Sequence, residues 1–165
     1  MTEPEITAAP EERTTPVAET APRLHVLFKV ADADYVVSAV DVLQMESFTG
    51  ATRVPGTPSF VRGLVQIRGR VVPVVDLRER FGLEPVPPTL DSRIIVLAQG
   101  DRVVGLLVDS AREVVQIAPG DLKAPPDVLM GESESFVKSV ARVGNRLLML
   151  LDVQRIIGEE QIHGK

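Results

Sequence analysis

Two aspartates in this 165-residue chain sit in matching surroundings: Asp76 closes the apolar run "VVPVV" and Asp152 closes "LLMLL". Two carboxylates brought together by a repeated unit are the acid–base apparatus of aspartic-protease hydrolysis. That chemistry needs each Asp on a small glycine-containing turn, whereas "DLR" and "DVQ" follow here. No base, nucleophile or metal set accompanies either residue in the sequence. An aspartate between an apolar strand and a short polar-apolar stretch ending in Gly reads instead as a helix N-cap. Glu79 stands where a capping box would place it.

Other reactive groups are scarce. The chain has no cysteine, which excludes disulfides, thiolate zinc sites and thiol nucleophiles. Its two histidines, His25 and His163, lie near opposite ends, which argues against a histidine metal cluster or a serine triad. What remains is a run of five arginines in "VRGLVQIRGRVVPVVDLRERFG", residues 61–82. Arg62, Arg68 and Arg70 could meet phosphate, as in a nucleic-acid-binding barrel. A nearly neutral body and a hairpin without stacking aromatics argue against it.

These residues must be positioned by short strands. "LHVLFKV" (24–30) reads as a strand, "ADAD" as a tight turn, and 35–46 as a strand running on into a bend or second strand. "RIIVLAQGDRVVGLLVD" (93–109) is a hairpin turning at Gln99-Gly100-Asp101. "PVPP" (85–88) and "APPD" (124–127) break the pattern and belong in loops. Many short β-branched runs at this spacing predict barrels or sandwiches.

Residues 59–82 align without a gap on residues 135–158. Six positions are identical, among them Phe60/Phe136, Arg70/Arg146 and Asp76/Asp152, and eight others exchange one aliphatic for another. A weaker echo pairs 27–42 with 95–110. The chain therefore reads as two similar β subdomains, with repeat units of about 24–84 and 91–158. The copies differ at the turn: Gly144-Asn145 in one, Arg68-Gly69-Arg70 in the other. Pro73 stands where the second copy has Met149. Proline donates no N–H, so this strand is expected to be an edge or to carry a bulge. Arg62, Arg70 and Pro73 then mark either an edge where a partner docks or a solvated hairpin whose arginines blunt it.

Residues 1–22 hold five Glu against one Arg, four Pro and five Thr, with little to bury. They read as an acidic, disordered tail, and 159–165 as a second short tail. The first carries −4 of the chain's −5, so the remainder is −1. No stretch reads as a membrane span or a signal peptide. A cytoplasmic protein without direct membrane insertion is expected.

Residues 54–77, within "VPGTPSFVRGLVQIRGRVVPVVDLRERFGL", closely resemble the most recognisable stretch of the CheW family of bacterial chemotaxis coupling proteins. Supporting matches lie at 52–55, 93–97, 103–117 and 147–158, so the resemblance spans about residues 24–158. It implies two intertwined five-stranded Src-homology-3-like barrels around one core, with short helices after Asp76 and Asp152. It implies a non-enzymatic adaptor without cofactor or metal. Such an adaptor joins the cytoplasmic tips of methyl-accepting chemoreceptors to the regulatory domain of histidine kinase CheA in membrane-associated arrays. A specialised scaffold of a non-flagellar pathway is the alternative.

By the same resemblance Arg68, Gly63, Val42, Val103, Val104 and Gly105 belong to the receptor-facing groove between the barrels. Ordinary core is the competing reading for the valines. Gln44 stands where the family usually has Glu, and it could accept a hydrogen bond from Arg68 but brings no charge.

Overall fold

The computed structural model describes residues 21–126 and 136–158. The expected tails, apart from residues 21–22, lie outside the described residues. Ten strands run in order: β1 (Arg23–Val30), β2 (Ala33–Ser38), β3 (Val42–Ser47), β4 (Val61–Ile67), β5 (Arg70–Asp76), β6 (Arg93–Gln99), β7 (Arg102–Val108), β8 (Ser110–Ile117), β9 (Val137–Val143) and β10 (Arg146–Leu151). Short helices α1 (Leu77–Arg80) and α2 (Val153–Ile157) follow β5 and β10.

The strands form two five-stranded sheets. The central sheet is ordered β3-β6-β7-β5-β4 and the terminal sheet β8-β1-β2-β10-β9. Neither sheet is one half of the chain, because each takes a hairpin from one half and three strands from the other. The exchange is sealed by two parallel pairings, β5 with β7 and β2 with β10.

Three apolar clusters follow from this arrangement. One fills the central barrel (Val72, Val74, Ile94, Val96, Leu107) and one the terminal barrel (Leu27, Val36, Ile117, Leu148). The largest lies between them and draws Val26, Phe28 and Val37 from one sheet and Ile95, Leu97, Val104 and Leu106 from the other. Strands β1, β5, β6 and β7 are thus buried on both faces over their middles, which is why they read as apolar runs without strict alternation.

The repeat persists in detail. Each copy has a bulge at the matching place, at Val61/Gly63 and at Leu150/Leu151. The amides of Asp76 and Asp152 donate to the carbonyls of Phe60 and Phe136, both at 2.8 Å. Because Phe60 occupies that amide, Glu79 does not close a capping box. The cap itself forms: Asp76 accepts from the Arg78 amide at 2.9 Å, and Asp152 from the Arg155 amide at 3.3 Å.

The copies meet at Arg80. Its guanidinium stacks on Phe60 and Phe136, with centroid distances of 4.1 and 4.8 Å. It donates to the Ile156 carbonyl at 2.8 Å, and Ile156 occupies its own equivalent position in the repeat. Burial pushes this guanidinium below its ordinary pKa. The aromatic contacts continue through Phe81 to Tyr35 and Phe28.

Pro73 requires a correction, since β5 is an interior strand. Arg70 and Ile67 close a two-residue turn, so Leu64 and Pro73 form a non-hydrogen-bonded pair. Accordingly the Leu64 amide and carbonyl turn the other way, to Thr52, at 2.8 Å each. On the far side β7 pairs with β5 only from Val74 onward. The missing N–H therefore lies on the β7 side just beyond the first β5–β7 pair, where no ladder bond is recorded, and the proline is tolerated without an edge or a bulge at its own position.

Candidate functional site

The Arg68-Gly69 turn has positive φ at both residues, 52° and 79°, the signature of a type I′ hairpin turn. It projects Arg68 over a small cleft lined by Leu43, Gln44, Ile67, Arg70, Val72 and Val103, with Val96 behind. Every lining residue belongs to or borders the central sheet, so Val103 lies in the same barrel as Arg68 rather than forming a second barrel's wall. The reason is the hairpin exchange, which brings β6 and β7 into the sheet of β3–β5.

Several expected residues lie elsewhere. Val104 is fully buried in the shared core. Gly105 is buried as well, and a Cβ there would lie 2.5 Å from Ile94 Cγ2. Gly63 does admit a close backbone, but it is the chain's own, since a Cβ would stand 2.2 Å from the Thr52 carbonyl oxygen. A register shift between Val42 and Gln44 turns Val42 onto the shared core and exposes Leu43. Arg62 is the bulged residue of β4. It reaches Asp76 Oδ2 at 2.7 Å and lies 5.6 Å from the Phe48 ring, so it is an internal ion-pair partner rather than a docking group.

Of the expected set, Arg68, Gln44, Arg70 and Val103 come together. Gln44 donates to Glu46 instead of accepting from Arg68. Comparing the barrels by register explains what is distinctive here. Gln44 faces Val96 as Glu113 faces Leu27, and Val103 faces Ala98 as Asp34 faces Lys29. In the terminal barrel Arg146, the counterpart of Arg70, is held by Glu113 at 2.7 Å and by Asp34 at 3.6 Å. The hydrogen bond from Arg146 holds the Glu113 carboxyl below its ordinary value. In the central barrel those two carboxylates are replaced by Gln44 and Val103. Among the described residues, Arg68 and Arg70 make no ion pair, and both are exposed.

Exposed Leu43, Met45 and Val71 lie on the same strands. The sequence alone did not single these out, because the bulge that exposes Leu43 leaves no residue-type signal. Among the described residues no group of three metal-ligating side chains converges, and no helix is long and apolar enough to cross a membrane.

The described residues thus form paired barrels presenting a cationic, partly apolar cleft. Comparison with known proteins makes this particular. The CheW-like domain matches residues 24–161, and the chain belongs to that family. It is 31% identical over 136 residues to chemotaxis protein CheW of Rhizobium meliloti (strain 1021), covering 82% of this chain and 88% of that one. To chemotaxis protein CheW of Bacillus subtilis (strain 168) it is 30% identical over 135 residues, covering 82% and 86%. The crystal structure of scaffolding protein TtCheW from Thermoanaerobacter tengcongensis superposes with a TM-score of 0.77 at 29% identity, covering 87% of this chain and 96% of that one. The fold is accordingly two Src-homology-3-like barrels.

Proposed function

We propose that this chain is a non-enzymatic chemotaxis adaptor that couples chemoreceptor cytoplasmic tips to the regulatory domain of histidine kinase CheA. The cleft under Arg68 is its receptor-facing site. One observation carries this reading: sister mouths of one architecture differ in charge pairing. The terminal mouth neutralises its arginine internally, whereas the central mouth leaves Arg68 and Arg70, beside Leu43 and Val103, without an ion pair among the described residues. An unpaired cation beside apolar surface suits a partner bringing a carboxylate and an apolar face, as a receptor helix can. Location in the cytoplasm, at receptor arrays, follows from those partners.

The purified protein is expected to bind a receptor signalling tip and the kinase regulatory domain separately, each at micromolar affinity, about −8 kcal/mol. Arg68→Glu weakens receptor binding by about tenfold or more while kinase binding and the thermal midpoint hold. Binding to neither component, measured calorimetrically with folded partners, rules the reading out. A large fall in midpoint for Arg68→Glu would make the turn structural instead.

A further inference from the structure

The strand-end corner where β4 meets α1 is filled in the central barrel, and its sibling in the terminal barrel is open. In the filled corner Asp76 receives the Arg62 guanidinium at 2.7 Å, against the Phe48 ring. Beside it Arg78 grips Asp109 through Nε and Nη2 at 3.1 and 2.7 Å. The repeat replaces Arg62 by Lys138 and Arg78 by Gln154, while Asp152 stands for Asp76. Lys138 makes no ion pair with Asp152 among the described residues. Beyond the Arg155 amide on Oδ1, Asp152 has among the described residues the exposed Arg155 Nε at 3.5 Å, too long for a good hydrogen bond.

A pocket of about 380 Å³ occupies this corner, with Val37, Ile117 and Leu151 among its apolar lining. Asp41, Asp152, Ser38 and Gln99 line it with acceptors, and Arg23 and Lys138 also border it, both with exposed side chains.

His25 supplies an independent sign of a ligand. It is only 4% exposed and lines this pocket, and by strand register, one residue off the sequence echo, it occupies the position that Ile94 fills in the other barrel. Its Nδ1 lies 3.1 Å from the Arg23 carbonyl. A carbonyl can only accept, so Nδ1 carries the proton, and in the neutral ring Nε2 is an acceptor. Among the described residues Nε2 has no partner. A buried acceptor without a donor is costly, and a donor-rich cation between His25 and Asp152 removes that cost.

We infer that this pocket binds a guanidinium group from outside the fold, completing the corner that its sibling completes with its own arginines. The source is either an arginine side chain of a protein partner or a free guanidinium compound. The inference does not depend on the adaptor reading, since it uses neither the Arg68 cleft nor its partners.

The test follows the His25 side-chain nitrogens by NMR in the full chain, titrated with agmatine and separately with a capped arginine tripeptide. A saturable shift of Nε2 is expected with at least one. Asp152→Asn, which keeps a competent N-cap, weakens it by about tenfold. Lys138→Arg recreates the Arg62–Asp76 geometry and abolishes it. Tighter binding of the tripeptide assigns a protein source, and tighter binding of agmatine a free ligand. No saturable shift with either probe overturns the inference. So does an equal response to propylamine, or undiminished binding by both variants.

Discussion

Gly63 and Gly105 both stand at positions where the family resemblance expects a partner to approach, and both are occupied by this chain itself. At Gly63 the backbone has φ of +142° and an added Cβ meets the Thr52 carbonyl at 2.2 Å. Neither the strain nor the backbone clash can be relieved locally, so Gly63→Ala should cost about 3 kcal/mol. Gly105 has no such φ, and its obstacle is the Ile94 side chain at 2.5 Å. That methyl moves only with the stiff χ1 of buried Ile94, yet a side chain gives way more readily than a backbone, so Gly105→Ala should cost about 2 kcal/mol. Urea unfolding midpoints decide the ranking, and an equal or inverted order refutes the argument. The same residues mark how far the sequence could be read. A motif identifies positions, but on strands buried on both faces no alternation distinguishes a cleft wall from core. Val104, for which core was the competing reading, and Gly105 are internal, whereas Arg68, on a turn, is exposed as its place on the turn requires.

Hairpins, turns and caps depend on neighbours in the chain, and these elements were readable: the 93–109 hairpin, the Gly144-Asn145 turn and the Asp76 and Asp152 caps all form. Sheet partnership depends on distant residues, and there local rules failed, as at Pro73, whose spare rung is set by where β7 begins to pair. The twin caps offer a controlled comparison. Asp76 is buried and also holds Arg62, with side chains 6% and 24% exposed, so Asp76→Ala removes a cap and strands a charge. The expected loss is about 3–4 kcal/mol. Asp152 has the cap and an exposed pairing with Arg155 that adds little, so Asp152→Ala should cost about 1 kcal/mol. Matched denaturation curves test this, and equal losses would mean that the Arg62 pair adds nothing to stability.

At the scale of the whole molecule, two barrels could unfold as two units, yet their composition opposes it. The central cluster takes side chains from both sheets, and each sheet is completed by strands from the other half of the chain. Losing one barrel would therefore expose the shared core and strip the partner of its packing face. Arg80 joins the copies at the same place, holding Phe60, Phe136 and the Ile156 carbonyl together. The only tyrosine, Tyr35, packs 5.3 Å from Phe81 and so reports on this junction by near-ultraviolet dichroism, while far-ultraviolet dichroism reports the strands of both sheets. The two signals should trace a single coincident transition in urea. Arg80→Ala should shift both together by about 2 kcal/mol, through loss of stacking and of charge-assisted hydrogen bonds. If the tyrosine signal instead melts ahead of the strands, the barrels are separable units and the shared core does not bind them into one.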